Sequence, residues 1–278
     1  MIGSIIGDIC GYPYQSWLMT YTDMNTPLVN PSCRITDDTV LTIAVADAIL
    51  TGVPFRDKYL EWWKKYPEAG YGPGFNEWAT NGGKEVGTSS GNGAPMRISP
   101  IGWMATAEFG DSHLTGLVID ACRPSHNSTE AIDGAFIIAK VIHRILHQPR
   151  YKDKFSIQQC ATLYPNAISS VKHVTMEDML KWDKSTCRCG ITVPQAINCF
   201  LLSENYEDCI RKSLYSQGDV DTIACMAGGI AEAYYWKTTG ELPIPKKLYR
   251  FGMERLPADM KAVYFAFRDK YNLPNYES

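Results

Sequence analysis

Apolar residues recur at helical spacing along most of this chain. Between Thr39 and Leu50 the residues Leu41, Ala44, Val45, Ala48 and Ile49 stand at i, i+3, i+4, i+7 and i+8. That spacing puts them on one face of an α-helix, which Asp37 or Asp38 is expected to cap. Asn127-Ser128-Thr129-Glu130 has the form of a capping box with Asn127 at the N-cap, and it leads into the apolar run 135–142. Ile223, Met226, Ala227, Ile230 and Tyr234 repeat the pattern late in the chain, and shorter helices are expected over 157–163, 193–202 and 206–215. Alternating strand-like segments between turn pairs are scarce. The pattern therefore predicts an all-α protein. With no linker, solenoid repeat or low-complexity tract, it predicts one compact domain over residues 1–278.

Composition narrows the function classes. Of 278 residues 45% are apolar and 12% aromatic, enough for a sizeable core. Lys plus Arg number 27 against 30 Asp plus Glu, a net charge of −3 that lacks the basic excess of a non-specific nucleic-acid binder. The nine cysteines are odd in number and scattered, which argues against a disulfide framework and for a reducing, cytoplasmic compartment. Cys187-Arg188-Cys189 lacks the two-residue gap of a zinc knuckle. Residues 1–8 are apolar without a basic flank and do not read as a signal peptide, and no run approaches the length of a membrane span. The segment 66–74 is rich in Gly, Pro and aromatic residues, as functional loops tend to be.

The candidate chemistry gathers in two acidic clusters far apart in sequence, Thr36-Asp37-Asp38-Thr39 and Asp219-Val220-Asp221-Thr222, each where a helix is expected to begin. One such cluster is explained by capping and the helix dipole. If the two helices meet, however, four carboxylates converge and repel one another unless cations sit among them. Oxygen-only donors with adjacent hydroxyls suit Mg²⁺ or Mn²⁺, and four carboxylates can hold two ions.

Five segments, in order, carry a resemblance: 3–11 (GSIIGDICG), 35–40 (ITDDTV), 90–100 (SGNGAPMRISP), 125–127 (SHN) and 218–224 (GDVDTIA). Together they resemble the ADP-ribosylglycohydrolase family over residues 1 to about 236. The resemblance implies an orthogonal helical bundle with a binuclear Mg²⁺ centre, Mn²⁺ being the alternative, in a cleft for ADP-ribose. It implies Thr36, Asp37, Asp38, Asp219, Asp221 and Thr222 as metal ligands. Ser90, Gly91, Asn92 and Gly93 would lie along the diphosphate and distal ribose, with His126 near the ligand. Asp8 is expected to support the site without ligating. Met96 and Arg97 are expected to pack and pair, and Trp62, Trp63, Tyr71 and Trp78 to be core or rim aromatics.

The implied activity is hydrolysis at C1″ of ADP-ribose, releasing it from a modified acceptor. Asp37 or Asp38 would take the proton from water. The implied partners are ADP-ribose or an ADP-ribosylated acceptor, with neither nucleic acid nor membrane, and the chain is expected to be a monomer. One position departs from the pattern. Many family members have a glutamate near the scissile bond where this chain has Gln15, and no Asp or Glu lies between Asp8 and Asp23 to replace it. An amide has the shape of a carboxylate but cannot take up a proton. Three accounts stand open: an engineered Glu→Gln change, a natural ADP-ribose-binding protein impaired in catalysis, or an enzyme in which an aspartate of the metal centre suffices.

Overall fold

The computed structural model describes residues 1–15, 22–104, 106, 110–162 and 174–277. Among these are fourteen α-helices and no strand. They are α1 (Ile2–Gly11), α2 (Asp37–Thr51), α3 (Phe55–Lys65), α4 (Pro73–Thr80), α5 (Ser99–Met104), α6 (Asp111–Cys122) and α7 (Thr129–His147). The second half of the chain adds α8 (Lys154–Thr162), α9 (Met176–Met179), α10 (Cys189–Leu202), α11 (Tyr206–Tyr215), α12 (Val220–Thr239), α13 (Lys246–Arg255) and α14 (Ala258–Tyr271). The periodicity thus locates α2, α7, α10, α11, α12 and most of α8, while the end of the expected 157–163 helix lies outside the described residues.

The centre of the protein is the crossing of α1 on α12, and its closeness is dictated by sequence. Gly3, Gly7 and Gly11 repeat every fourth residue and so form one stripe along α1. A Cβ at Gly3 would stand 2.5 Å from the Gly228 carbonyl oxygen, one at Gly7 would overlap the Ala224 carbonyl, and one at Gly11 would overlap the Asp221 backbone. Every residue of α1 is buried, as is every residue of α12 from Val220 to Ala233. α10 and α11 flank this pair on one side and α5 and α7 on another, while α2 packs between the centre and an outer layer of α3 and α14. We expect Gly7→Ala to force backbone apart at this crossing and cost about 1–3 kcal/mol, the range for overpacking a tight core. A lowered urea midpoint with unchanged helical content at low denaturant would report it.

Two sequence expectations require correction. The pattern assigns α2 a single apolar face, yet Asp38 through Ala48 are all buried, because layers cover the helix on every side. The expected caps also differ. Thr36, not Asp37 or Asp38, caps α2, its hydroxyl accepting from the Asp38 N–H at 3.2 Å. Ser128, not Asn127, caps α7, its hydroxyl accepting from the Ala131 N–H and donating to the Ser89 carbonyl at 2.8 Å. The Asn127 backbone N–H is committed to the Gly87 carbonyl instead. Glu130 leaves the capping box to pair with Arg188 at 2.6 Å and to accept from the Gly190 N–H.

Candidate active site

Asp8 follows the Gly7 contact, so the close crossing of α1 on α12 carries its side chain to the first turn of α2. There it accepts from the backbone N–H groups of Thr36 (3.0 Å) and Thr39 (3.1 Å) and from both their hydroxyls, Thr36 Oγ1 at 2.7 Å. The Asp37 N–H goes to the Ala69 carbonyl at 2.8 Å. The free amides at the start of α2 are therefore satisfied by Asp8, Thr36 and Ala69, and neither Asp37 nor Asp38 is spent on capping.

The start of α12 shows the same economy. Gln217 and Gly218 both take positive φ, 61° and 94°, turning the chain sharply into the helix. Asp219 at the N-cap makes no side-chain capping bond and instead accepts from the Asn92 amide at 2.7 Å. Thr222 Oγ1 donates to Asp38 Oδ2 at 3.1 Å, which joins the two acidic clusters directly.

Asp8, Asp38 and Asp221 each place a carboxylate oxygen within 4.8 Å of the other two, and all three residues are buried. Burial, followed by the charges of Asp8, Asp37 and Asp219, pushes the Asp38 carboxyl well above its ordinary range. Burial, followed by Asp219, Asp38 and Asp8, does the same to Asp221. Asp37 is raised by desolvation and then by Asp8 and Asp219, and Asp8 by burial to about 6 despite its hydrogen bonds. Asp38 Oδ1 and Asp221 Oδ1 are buried with no hydrogen-bond partner among the described residues. The single Thr36 hydroxyl proton has Asp8 at 2.7 Å and Asp38 Oδ2 at 3.2 Å, so the nearer acceptor takes it and Asp38 Oδ2 is left to Thr222. Buried, unpartnered carboxylate oxygens in an all-oxygen set fit hard divalent cations.

Asp38 and Asp221, though not Asp8, reach the wall of a cavity of about 830 Å³. Thr36, Asp37, Asp38, Asp219, Asp221 and Thr222 line it, together with Gln15, Ser90, Gly91, Asn92, Gly93 and His126. The glycine turn is held on both sides. The Asn92 N–H donates to the Cys187 carbonyl at 2.8 Å, the Cys189 N–H donates to the Ser90 carbonyl at 3.2 Å, and Thr88 pairs with His126. A Cβ on Gly93 would stand 2.7 Å from His126 Nε2, so only glycine lets the turn and the imidazole touch. His126 Nδ1 meets Ser125 Oγ at 2.8 Å, and burial, then the Arg97 guanidinium, lowers its pKa well below the ordinary value.

The family model ADP-ribosylglycohydrolase matches residues 1–255. The chain belongs to the ADP-ribosylglycohydrolase family. It is 25% identical to mouse (Mus musculus) ADP-ribosylhydrolase ARH3 over 307 residues, covering 84% of this chain and 82% of that protein. It is 26% identical to the zebrafish (Danio rerio) ADP-ribosylhydrolase ARH3, covering 84% and 81%. A solved structure, of an ADP-ribosylglycohydrolase-related protein complex, superposes with a TM-score of 0.68 at 20% identity, covering 97% of this chain and 95% of that one, which shows the shared fold.

Within this family frame, the structure adds residues that the motifs do not reach. Tyr12, Arg34, Cys187 and Arg188 line the same cavity, with Arg34 lying 4.3 Å over the Tyr12 ring. Tyr12 and Arg34 each adjoin a motif, whereas Cys187 and Arg188 lie near none and carry no such sequence signal. The Gly/Pro loop does enter the site: residues 69–75 line the cavity, and Tyr71 stacks on Phe75 with centroids 5.3 Å apart. Of the other aromatics, Trp62 is a core residue donating to Asp47 at 2.8 Å, Trp63 donates to Asn76, and Trp78 donates to the Glu85 carbonyl. Met96 is buried and lines the cavity, and Arg97 is fully buried against the Tyr59 ring. The nine cysteines are all free thiols, eight of them buried, and no helix among the described residues is long and apolar enough to cross a membrane.

Proposed function

We propose that this member of the family is a metal-dependent hydrolase that cleaves the glycosidic bond at C1″ of ADP-ribose and releases it from a modified acceptor. The observation that carries the reading is the pair of buried, unpartnered oxygens on Asp38 and Asp221, set among mutually repelling carboxylates in the wall of a ligand-sized cavity. Thr36, Asp37, Asp38, Asp219, Asp221 and Thr222 would hold two Mg²⁺, or Mn²⁺. Once bound, these ions would supply charge compensation, a grip on the distal ribose hydroxyls and Lewis-acid activation of water.

The chain's own residues supply the rest. The rigid turn 90–93 and His126 fix the sugar and diphosphate, turning hydrolysis into attack on a positioned centre. The carboxylates of the cavity wall would stabilise the positive charge that develops on the sugar in an oxocarbenium-like transition state. Asp37, half-buried and facing the cavity, accepts the proton that water loses. Gln15, buried in the wall, offers an amide for hydrogen bonding but cannot take up a proton.

A panel of ADP-ribosylated arginine and serine peptides with Mg²⁺ tests this reading. Absence of ADP-ribose release from every substrate, with the present sequence and with Gln15→Glu, would overturn it. Millimolar Mg²⁺ is also expected to raise the melting temperature, and EDTA to reverse the rise, because a cation bound only by the folded state stabilises it by about 2.7 kcal/mol at a hundredfold excess over Kd. The second reading, favoured by Gln15, is an ADP-ribose-binding protein with impaired turnover. Calorimetry showing no ADP-ribose binding in Mg²⁺ would exclude it.

A further inference from the structure

Arg97 is a buried cation that pairs with no carboxylate within salt-bridge distance among the described residues. Its guanidinium lies 4.2 Å over the Tyr59 ring, and Nη2 donates to the Ala121 carbonyl at 3.1 Å and to Ser125 Oγ at 3.0 Å. Ser125 Oγ in turn lies 2.8 Å from His126 Nδ1. The direction of this chain follows from the inventory of donors. A guanidinium can only donate and stays charged at any working pH, so Ser125 Oγ accepts from it. The hydroxyl then has one proton to place, and Nδ1 is an acceptor within reach. If Nδ1 carried the ring proton instead, Ser125 Oγ would receive two donors and its own proton would face a buried site with no further acceptor among the described residues, at a cost comparable to a lost hydrogen bond.

We propose that Arg97 and Ser125 hold His126 as the Nε2–H tautomer, a fixed hydrogen-bond donor at the cavity wall and not a proton carrier. Ser125 and Arg97 are positioning residues in this arrangement, and His126 is the group that meets the ligand. Nε2 lies beside Gly93, and both His126 and that turn line the cavity, so an Nε2–H would stand at the wall that a ligand approaches. A neutral donor suits that place. An imidazolium would lie one hydroxyl away from a fixed guanidinium, and its pKa is lowered by burial and by that charge. The ligand side of this inference rests on the ADP-ribose reading, but the tautomer is a property of the free protein and is read without ligand.

Long-range ¹H–¹⁵N correlation spectra of the full chain test it, with the His126 signals assigned by their loss in His126→Gln. The expected result is a bare Nδ1 and a protonated Nε2 at neutral pH. Ser125→Ala is expected to shift the ring toward the Nδ1–H form and to weaken ADP-ribose binding about three- to tenfold by calorimetry in Mg²⁺, the loss of about one hydrogen bond. Ser125→Thr, which keeps the hydroxyl, is expected to restore both. A protonated Nδ1, or a charged ring, in the unsubstituted protein overturns the proposal, and so does an unchanged tautomer in Ser125→Ala. Should Ser125→Ala not fold, the spectra of the unsubstituted protein and of Ser125→Thr still decide. An Nε2–H tautomer together with no ADP-ribose binding would leave the hydrogen-bond chain standing and remove the ligand reading.

Discussion

Replacing Asp221 by asparagine is expected to lower ADP-ribose release about 10²–10³-fold, the range for loss of one preorganised electrostatic group, while raising the melting temperature of the metal-free protein. The two effects have one cause. Asp221 Oδ1 is buried without a partner, close to Asp8 and Asp38. Unit like charges in contact at an effective dielectric of 20 repel by about 4 kcal/mol, so without a cation the cluster is a net cost, and removing one charge relieves part of it. Each kcal/mol relieved should appear as roughly 2–4 °C in a domain of this size class. With saturating Mg²⁺ the order reverses, since the variant has lost a ligand. Melting curves in EDTA and in Mg²⁺, beside turnover, measure all three quantities; a variant with unchanged activity and no gain in EDTA would remove the metal assignment.

The same cluster sets a pH dependence for the metal-free protein. The Asp8, Asp37, Asp38, Asp219 and Asp221 carboxyls are all raised in the folded state by desolvation before any other cause. The folded state therefore binds more protons than the unfolded chain above the ordinary carboxyl pKa of about 4. Stability from these groups is fully present below that value and is lost as pH rises, for Asp8 through about 6. In EDTA the protein should be harder to unfold at pH 5 than at pH 7.5, and Mg²⁺ should narrow the difference by compensating the charges. A flat profile in EDTA would contradict the repulsion on which the metal assignment depends.

The second large effect is a gain. Gln15→Glu is expected to raise kcat by about 10²–10⁴-fold, the contribution of a positioned general base, with ADP-ribose affinity little changed. Gln15 is buried and lines the cavity, so a carboxylate of the same shape fits without repacking. Single-turnover rates of the two proteins on one substrate decide between the readings. A large gain identifies the present sequence as the impaired form. Fast turnover by the present sequence and less than a threefold change on substitution would show that the aspartates suffice.

Much of this site is visible in the sequence because its parts are local. A helix start with Thr-Asp-Asp, another with Asp-Val-Asp-Thr and a Ser-Gly-Asn-Gly turn are each set by a few adjacent residues, and their chemistry survives in any fold that keeps them exposed to a ligand. The apolar periodicity that places α2, α7, α11 and α12 is local in the same sense, since it expresses which residues one helix can turn toward its neighbours. The caps are not legible in the same way, for the opposite reason. Asn127 and Asp38 are good caps by type, but the Asn127 backbone N–H that a capping box needs is held by the Gly87 carbonyl, and Asp38 Oδ2 by Thr222, partners 40 and 184 residues away.

What the tertiary structure alone decided is convergence. Residues 8, 38 and 221 lie on three helices, and no spacing rule relates them; the glycine stripe of α1 brings α12 close enough for their carboxylates to share one small volume. Asp8 shows the difference plainly. By sequence it is an acidic residue beside a glycine, whereas in the fold it satisfies the first turn of α2 and frees Asp37 and Asp38 from that task. The Arg97–Ser125–His126 chain is of the same kind, because its direction depends on which groups face one another when water is excluded. Sequence determines which helices form and which donors and acceptors each presents. Only packing decides which of those groups lose water together, and that loss makes unpartnered oxygens expensive, divalent cations welcome and a hydroxyl proton directional.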